Sequence, residues 1–194
     1  MLYGGTAMAL RLGHRQSVDF DFFSNERFEP SSLLGSLGSL REARVDQRGD
    51  NTLSVGVDRS GPVRLSFFGA VGMDRIHDPD FAADNGLQVA ALLDLTATKL
   101  KTIQQRAEAK DYRDIAAALD AGIALAEALG AATAVFGKRF NAMVALKALT
   151  YFGDGNLPSL PQTIQDRLRT SAEALQLEAL PQVVPKPGIQ GREA

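Results

Sequence analysis

Residues 4–23 read "GGTAMALRLGHRQSVDFDFF". Ala7, Met8, Ala9, Leu10 and Arg11 are good helix formers with no breaker before Gly13, so the stretch between Thr6 and Leu12 predicts a short helix launched from Gly4-Gly5. From Ser17 to Phe23 the period changes to two: Val18, Phe20 and Phe22 fall on one face, and Ser17, Asp19 and Asp21 on the other. That alternation predicts a strand that sends two carboxylates out together while its phenylalanines enter the core. Two adjacent anions repel, and a hard cation such as Mg2+, which takes one or two protein carboxylates and fills its shell with water and phosphate, holds such a pair together. An isolated Asp-x-Asp is explained equally well by a solvated strand face, and Gly-Gly-Thr alone by a tight strand-to-helix turn. In combination, Gly4 and Gly5 let a phosphate approach the backbone, while the Thr6 hydroxyl and the helix N-terminus add donors.

The chain around this segment has 194 residues, 45% hydrophobic and 23% charged, with a formal charge of -2. That is enough for a real core and too little positive charge for a globally basic nucleic-acid binder. Cysteine is absent, and His14 and His77 are the two histidines, which excludes disulfides and thiolate metal sites and argues against zinc. The longest apolar runs are broken by Asp or Lys too soon to span a bilayer, so a cytoplasmic, reducing setting is expected.

Downstream, a short helix is predicted after Pro30. "REARVDQR", "TLSVGVD" and "VRLSFFG" then form a meander through the turns at Gly49-Asp50-Asn51 and Arg59-Ser60-Gly61-Pro62. Leu93, Ala97, Leu100, Ile103 and Ala107 recur at helical spacing, as do Tyr112, Ile115, Ala116 and Leu119 after a break near Ala109. Further helices follow, with stops expected at Gly130, Gly137, Gly153-Asp154-Gly155 and Pro158. Strands segregated from helices predict an α+β fold: a core over residues 1–90, a helical region over 91–180, and a disordered or surface-draped tail over 181–194.

The quoted segment, with Gly-Gly-Thr followed by Arg15-x-Ser17-x-Asp19-x-Asp21, resembles the signature of the nucleotidyltransferase superfamily, in particular its AbiEii/AbiGii-type toxin branch. "DLTATKLKTIQQRAEAKDYRDIAAAL" is similar to that branch's helical motif, with Lys99, Arg106, Lys110, Asp111 and Asp114 at matching places, so the likeness covers roughly residues 2–120. The resemblance implies a small mixed sheet completed by a helical part, and Mg2+ or Mn2+ bound by Asp19 and Asp21. It implies transfer of a nucleoside monophosphate from a nucleoside triphosphate to an acceptor, RNA among the candidates, in a toxin paired with an antitoxin. Lys99 joins the two aspartates as catalytic. Gly4, Gly5, Thr6, Arg15, Ser17, Arg106, Lys110 and Asp114 are the expected nucleotide-binding residues. Arg15 is expected as a partner of Asp19 or Asp21 or as a phosphate ligand, Arg106 on a helix face shared with Lys99, and His14 as a helix-end residue.

Two departures from that pattern stand out. A third carboxylate on a later strand is usual, and alternation in "VRLSFFG" places Ser66 there, with Asp58 and Asp74 near the strand ends. A catalytically degenerate relative that binds nucleotide or a protein without transfer is therefore the alternative. Relatives also carry helical sequence ahead of the Gly-Gly, where this chain has Met1, Leu2 and Tyr3, which leads to the expectation of a truncated form or an upstream start.

Overall fold

The computed structural model describes residues 1–40 and 42–189. Seven strands form one mixed sheet: β1 (Leu2–Tyr3), β2 (Asp19–Phe23), β3 (Arg44–Gly49), β4 (Thr52–Asp58), β5 (Pro62–Phe68), β6 (Asp80–Phe81) and β7 (Gln88–Val89), ordered β3-β4-β5-β2-β1-β7-β6. The β3-β4-β5 meander is antiparallel, as its turn residues predict, while β2 lies parallel to β5 and antiparallel to β1. Helices α1 (Gly4–Leu12) and α2 (Pro30–Ser36) interrupt the strands, and α3 (Leu92–Thr102), α4 (Ala109–Asp120), α5 (Leu125–Phe136), α6 (Ala142–Thr150) and α7 (Gln162–Glu173) follow them. The fold is α+β.

Period and burial agree across the helices. Leu93, Ala97, Leu100 and Ile103 of α3 and the turn after it, and Tyr112, Ile115, Ala116 and Leu119 of α4, are all buried in one apolar cluster with α5, α6 and α7. A second cluster packs Leu2, Tyr3, Ala7 and Met8 against Leu95 and Ala118, which ties the sheet to the helices directly behind the Gly-Gly turn. On β2, Phe20 and Phe22 stack with each other, and Phe22 stacks with Phe67 of β5 at 5.1 Å between ring centroids.

Several local expectations change. Gly130 does not stop a helix: it lies inside α5, where the carbonyl of Pro181 occupies the space a Cβ would take. Gly137 does end α5. Strand β2 begins at Asp19, two residues later than the alternation suggests, and Val18 is 52% exposed instead of joining Phe20 and Phe22. The two-residue strands β1, β6 and β7 have no legible period, because two residues define none. Residues 181–189 drape across the surface but end in an anchor, with Ile189 fully buried beside Leu2 and Met73. Among the described residues no helix is long and apolar enough to cross a membrane.

Candidate nucleotide-binding site

The site begins with the hairpin-like return of the chain through α1. Antiparallel pairing of β1 with β2 sets Tyr3 opposite Asp21, so the first residue of α1, Gly4, lies against that carboxylate. Gly4 has φ +73, and a Cβ there would sit 2.5 Å from Asp21 Oδ2; a Cβ on Gly5 would run into the Arg15 guanidinium. Both glycines are thus required by close approach, Gly4 also by its left-handed backbone. Thr6 is 2% exposed, its hydroxyl bonded to the Asp19 carbonyl and paired with Ser17 Oγ at 2.8 Å. It locks the start of β2 to α1.

Behind the carboxylate strand, α3 and α4 supply a buried ion network. Asp111 and Asp114, three residues apart on one face of α4, are both fully buried. Lys99 Nζ reaches Asp111 Oδ1 and Asp114 Oδ2, each at 2.7 Å. Arg15 grips Asp114 with two N–H donors, Nε at 2.6 Å and Nη2 at 3.0 Å, and His14 Nε2 lies 2.7 Å from the same carboxylate. Arg106 donates to Asp111 from Nε at 2.9 Å. Arg15 is therefore hydrogen-bonded to Asp114, with Asp19 a lesser charge neighbour and no contact to Asp21 among these bonds. Arg106 sits in the turn between α3 and α4 instead of on the helix of Lys99, and it is aimed by Asp111. Burial would raise the pKa of Asp114, but the hydrogen bond from Arg15 and the charge of Lys99 outweigh it, and the carboxyl lies below its ordinary value.

Asp21 goes the other way. Burial and then the neighbouring Asp19 push its pKa up, with Lys99, Arg64 and Lys110 only partly offsetting them. A group whose folded pKa is raised contributes stability below its unfolded pKa that is lost as pH rises through the folded value. Asp21→Asn should therefore raise the melting temperature of the metal-free protein by a few degrees at pH 7, an advantage that fades below about pH 4. Thermal melts at both pH values check this; an unchanged or lowered melting temperature at pH 7 contradicts it.

These side chains border a cleft of about 300 Å³. Of the residues singled out in the sequence, Gly4, Gly5, Arg15, Ser17, Asp19, Asp21, Lys99, Arg106 and Lys110 line it; Thr6 and Asp114 lie behind its wall. Leu95, Thr98 and Thr102 of α3 line it too, as do Phe23 and Gln16. The three α3 residues share a helical face with Lys99, a spacing legible in the sequence once Lys99 is placed in the cleft. Asp111, read as an ion-pair residue near a helix N-terminus, also sets the direction of Lys99 and Arg106.

The parallel register pairs Asp21 with Ser66 and Asp19 with Arg64. Ser66 is buried and hydrogen-bonded to Ser54 Oγ at 3.1 Å. Asp58 accepts from the Gly61 N–H within its own turn and Asp74 from the Gly188 N–H of the C-terminal segment, and neither lines the cleft. Among the described residues no cluster of three or more His, Asp or Glu side chains is placed to hold a metal. The pair Asp19–Asp21 is still a donor set that suits Mg2+, whose remaining ligands are water and substrate phosphate.

Comparison with known proteins bears on this arrangement. Residues 1–187 match the family model described as nucleotidyl transferase AbiEii toxin, Type IV TA system. A curated relative, the uncharacterized protein aq_aa25 of Aquifex aeolicus (strain VF5), is 32% identical over 116 residues, covering 59% of this chain and 54% of that protein. The chain thus matches about half the length of that relative. The family match spans both the sheet that carries the aspartate pair and the helices that carry its cations, and on that extent the chain belongs to the AbiEii family of nucleotidyl transferase toxins.

Proposed function

We propose that this protein transfers a nucleoside monophosphate from a nucleoside triphosphate to a hydroxyl-bearing acceptor, RNA being the leading candidate, as the toxin of a pair whose antitoxin restrains it. The observation that carries this reading is the convergence of Asp19 and Asp21 of β2 with Arg15, Lys99, Arg106 and Lys110 around one cleft. Mg2+ or Mn2+ on the two carboxylates would neutralise triphosphate charge and polarise the α-phosphorus. Arg15, Lys99 and Arg106, already aimed by Asp111 and Asp114, hold phosphate oxygens without reorganising as charge develops. The acceptor oxygen bonds to the α-phosphorus, the bond to the bridging oxygen breaks, pyrophosphate leaves with that electron pair, and the hydroxyl proton passes to water. A second reading, nucleotide binding without transfer, is favoured by one observation: the strand position beside Asp21 holds a serine bonded to another serine.

Calorimetric titration of each nucleoside triphosphate, with and without Mg2+, tests the site. Native protein is expected to bind in a metal-dependent way, and Asp19→Asn/Asp21→Asn to lose that dependence. Metal-independent affinity, or equal affinity in the double variant, overturns the site. Transfer by the native protein that vanishes in Asp21→Asn establishes the enzyme; transfer that arises only with Ser66→Asp establishes the degenerate form.

A further inference from the structure

A second space, a groove of about 570 Å³ over the β3-β4-β5 meander, adjoins the cleft. Val18 and Asp19 line both, so the two meet at the carboxylate strand. Register lays a single row across four strands: Asp19 on β2, Arg64 on β5, Gly56 on β4 and Arg44 on β3. In-register neighbours share a sheet face and stand about 4.8 Å apart, so Arg64 is one step from Asp19 and Arg44 about three. Gly56 carries no side chain, and the Arg44 guanidinium and Asp46 carboxylate lie across it, each 3.4 Å from where a Cβ would be.

Charges lining the groove are unequally committed. Arg44 donates to Asp46 at 2.7 Å, and Asp58 accepts from its own turn. On the cleft side, Arg15, Lys99 and Arg106 are bound to buried carboxylates, and Lys110 pairs with Glu108 at 3.1 Å. The Arg64 residue is exposed and lines the groove and not the cleft; its charge acts on Asp21 and Asp46, but among the described residues its guanidinium makes no hydrogen bond and no ion pair. A planar fork with unused donors beside a metal-suited carboxylate is a phosphate ligand by chemistry. Val18 and Val63 offer an apolar wall to a sugar or base next to it.

Resting on the transfer reading above, we propose that the acceptor enters across this sheet face rather than through the triphosphate cleft, and that Arg64 holds a phosphodiester of a single-stranded acceptor end one strand from Asp19. The triphosphate then approaches from the helical side and the acceptor from the meander side, on opposite flanks of Asp19.

The test uses the full chain and a labelled oligoadenylate of four nucleotides, followed by fluorescence anisotropy over a salt series, with Mg2+–ATP binding measured alongside. Arg64→Ala is expected to weaken the oligonucleotide about 10-fold and lower the slope of log affinity against log salt by about one. Arg64→Lys should recover part of the loss. Arg27→Ala, at an exposed charge that lines neither the cleft nor the groove, should do nothing. Unchanged oligonucleotide affinity in Arg64→Ala, an equal loss in Arg27→Ala, or a parallel loss of ATP affinity overturns the proposal. Failure of metal-dependent ATP binding in the native chain overturns the underlying site instead, and the two arms report separately.

Discussion

Asp114→Ala is expected to cost about 3–5 kcal/mol of stability and to abolish triphosphate binding in whatever remains folded. The carboxylate is fully buried, receives both donors of Arg15, and lies 2.7 Å from Lys99 Nζ and from His14 Nε2. Removing it leaves the Lys99 ammonium, 5% exposed, with only Asp111, and it frees Arg15 from the position that Gly5 accommodates. Loss of one partner from a buried ionic cluster costs more than the cluster contributes, because the remaining charge stays desolvated. Urea denaturation at pH 7 reads the loss, and acid separates its charge component. A carboxyl held below its ordinary pKa contributes stability above the unfolded value that is lost as pH falls through the folded one, so the gap between native protein and variant should begin to narrow only as pH falls below about 4. A variant within 1 kcal/mol of native at pH 7, about the worth of an exposed pair, would contradict the network's role.

Ending the chain after Leu180 should lower the melting temperature by roughly 10 °C. The strap over residues 181–189 crosses from the helices to the sheet. Arg75 and Lys186 exchange backbone hydrogen bonds of 3.1 and 2.7 Å, and the Arg75 guanidinium donates to the carbonyls of Pro187 and Gly188. Ile189 then fills the core beside Leu2. Emptying a buried isoleucine site costs about 2–5 kcal/mol, and stripping acceptors from Arg75, itself 7% exposed, adds about 1–3 kcal/mol. Lys186 and Arg75 hold the exposed Asp78 carboxyl down to about 2, so the strap's ion pairs persist through mild acid. Ile189→Ala alone should reproduce about half of the effect. A melting temperature unchanged on truncation would mean that the strap is decoration.

The helical half was legible because each of α3 and α4 presents a full apolar stripe, and a stripe of four or more residues has a measurable period. The aspartate strand was legible for the same reason. Gly130 was misread because the sequence signal for a helix stop and for a close backbone approach is the same residue. What distinguishes them is Pro181, fifty-one positions away, whose carbonyl occupies the Cβ position. Local spacing put Arg15 beside Asp19, whose charge does act on it, but its hydrogen-bonded partner Asp114 arrives from a helix 99 residues later and leaves no local signal.

The α+β order, the placing of Asp19 and Asp21 on one strand face, and the family likeness of residues 2–120 could be read along the chain, since all three reside in local period and motif. It took the packed fold to show which cations serve which carboxylates, that Thr6 turns inward, that the later strand pairs Ser66 with Asp21 in register, and that Arg64 pairs in register with Asp19 with its guanidinium free of hydrogen bonds and ion pairs among the described residues. Those facts depend on strand register and on helices packing across long sequence separations. One residue of register or one helical turn reassigns every partner while leaving composition and local period untouched.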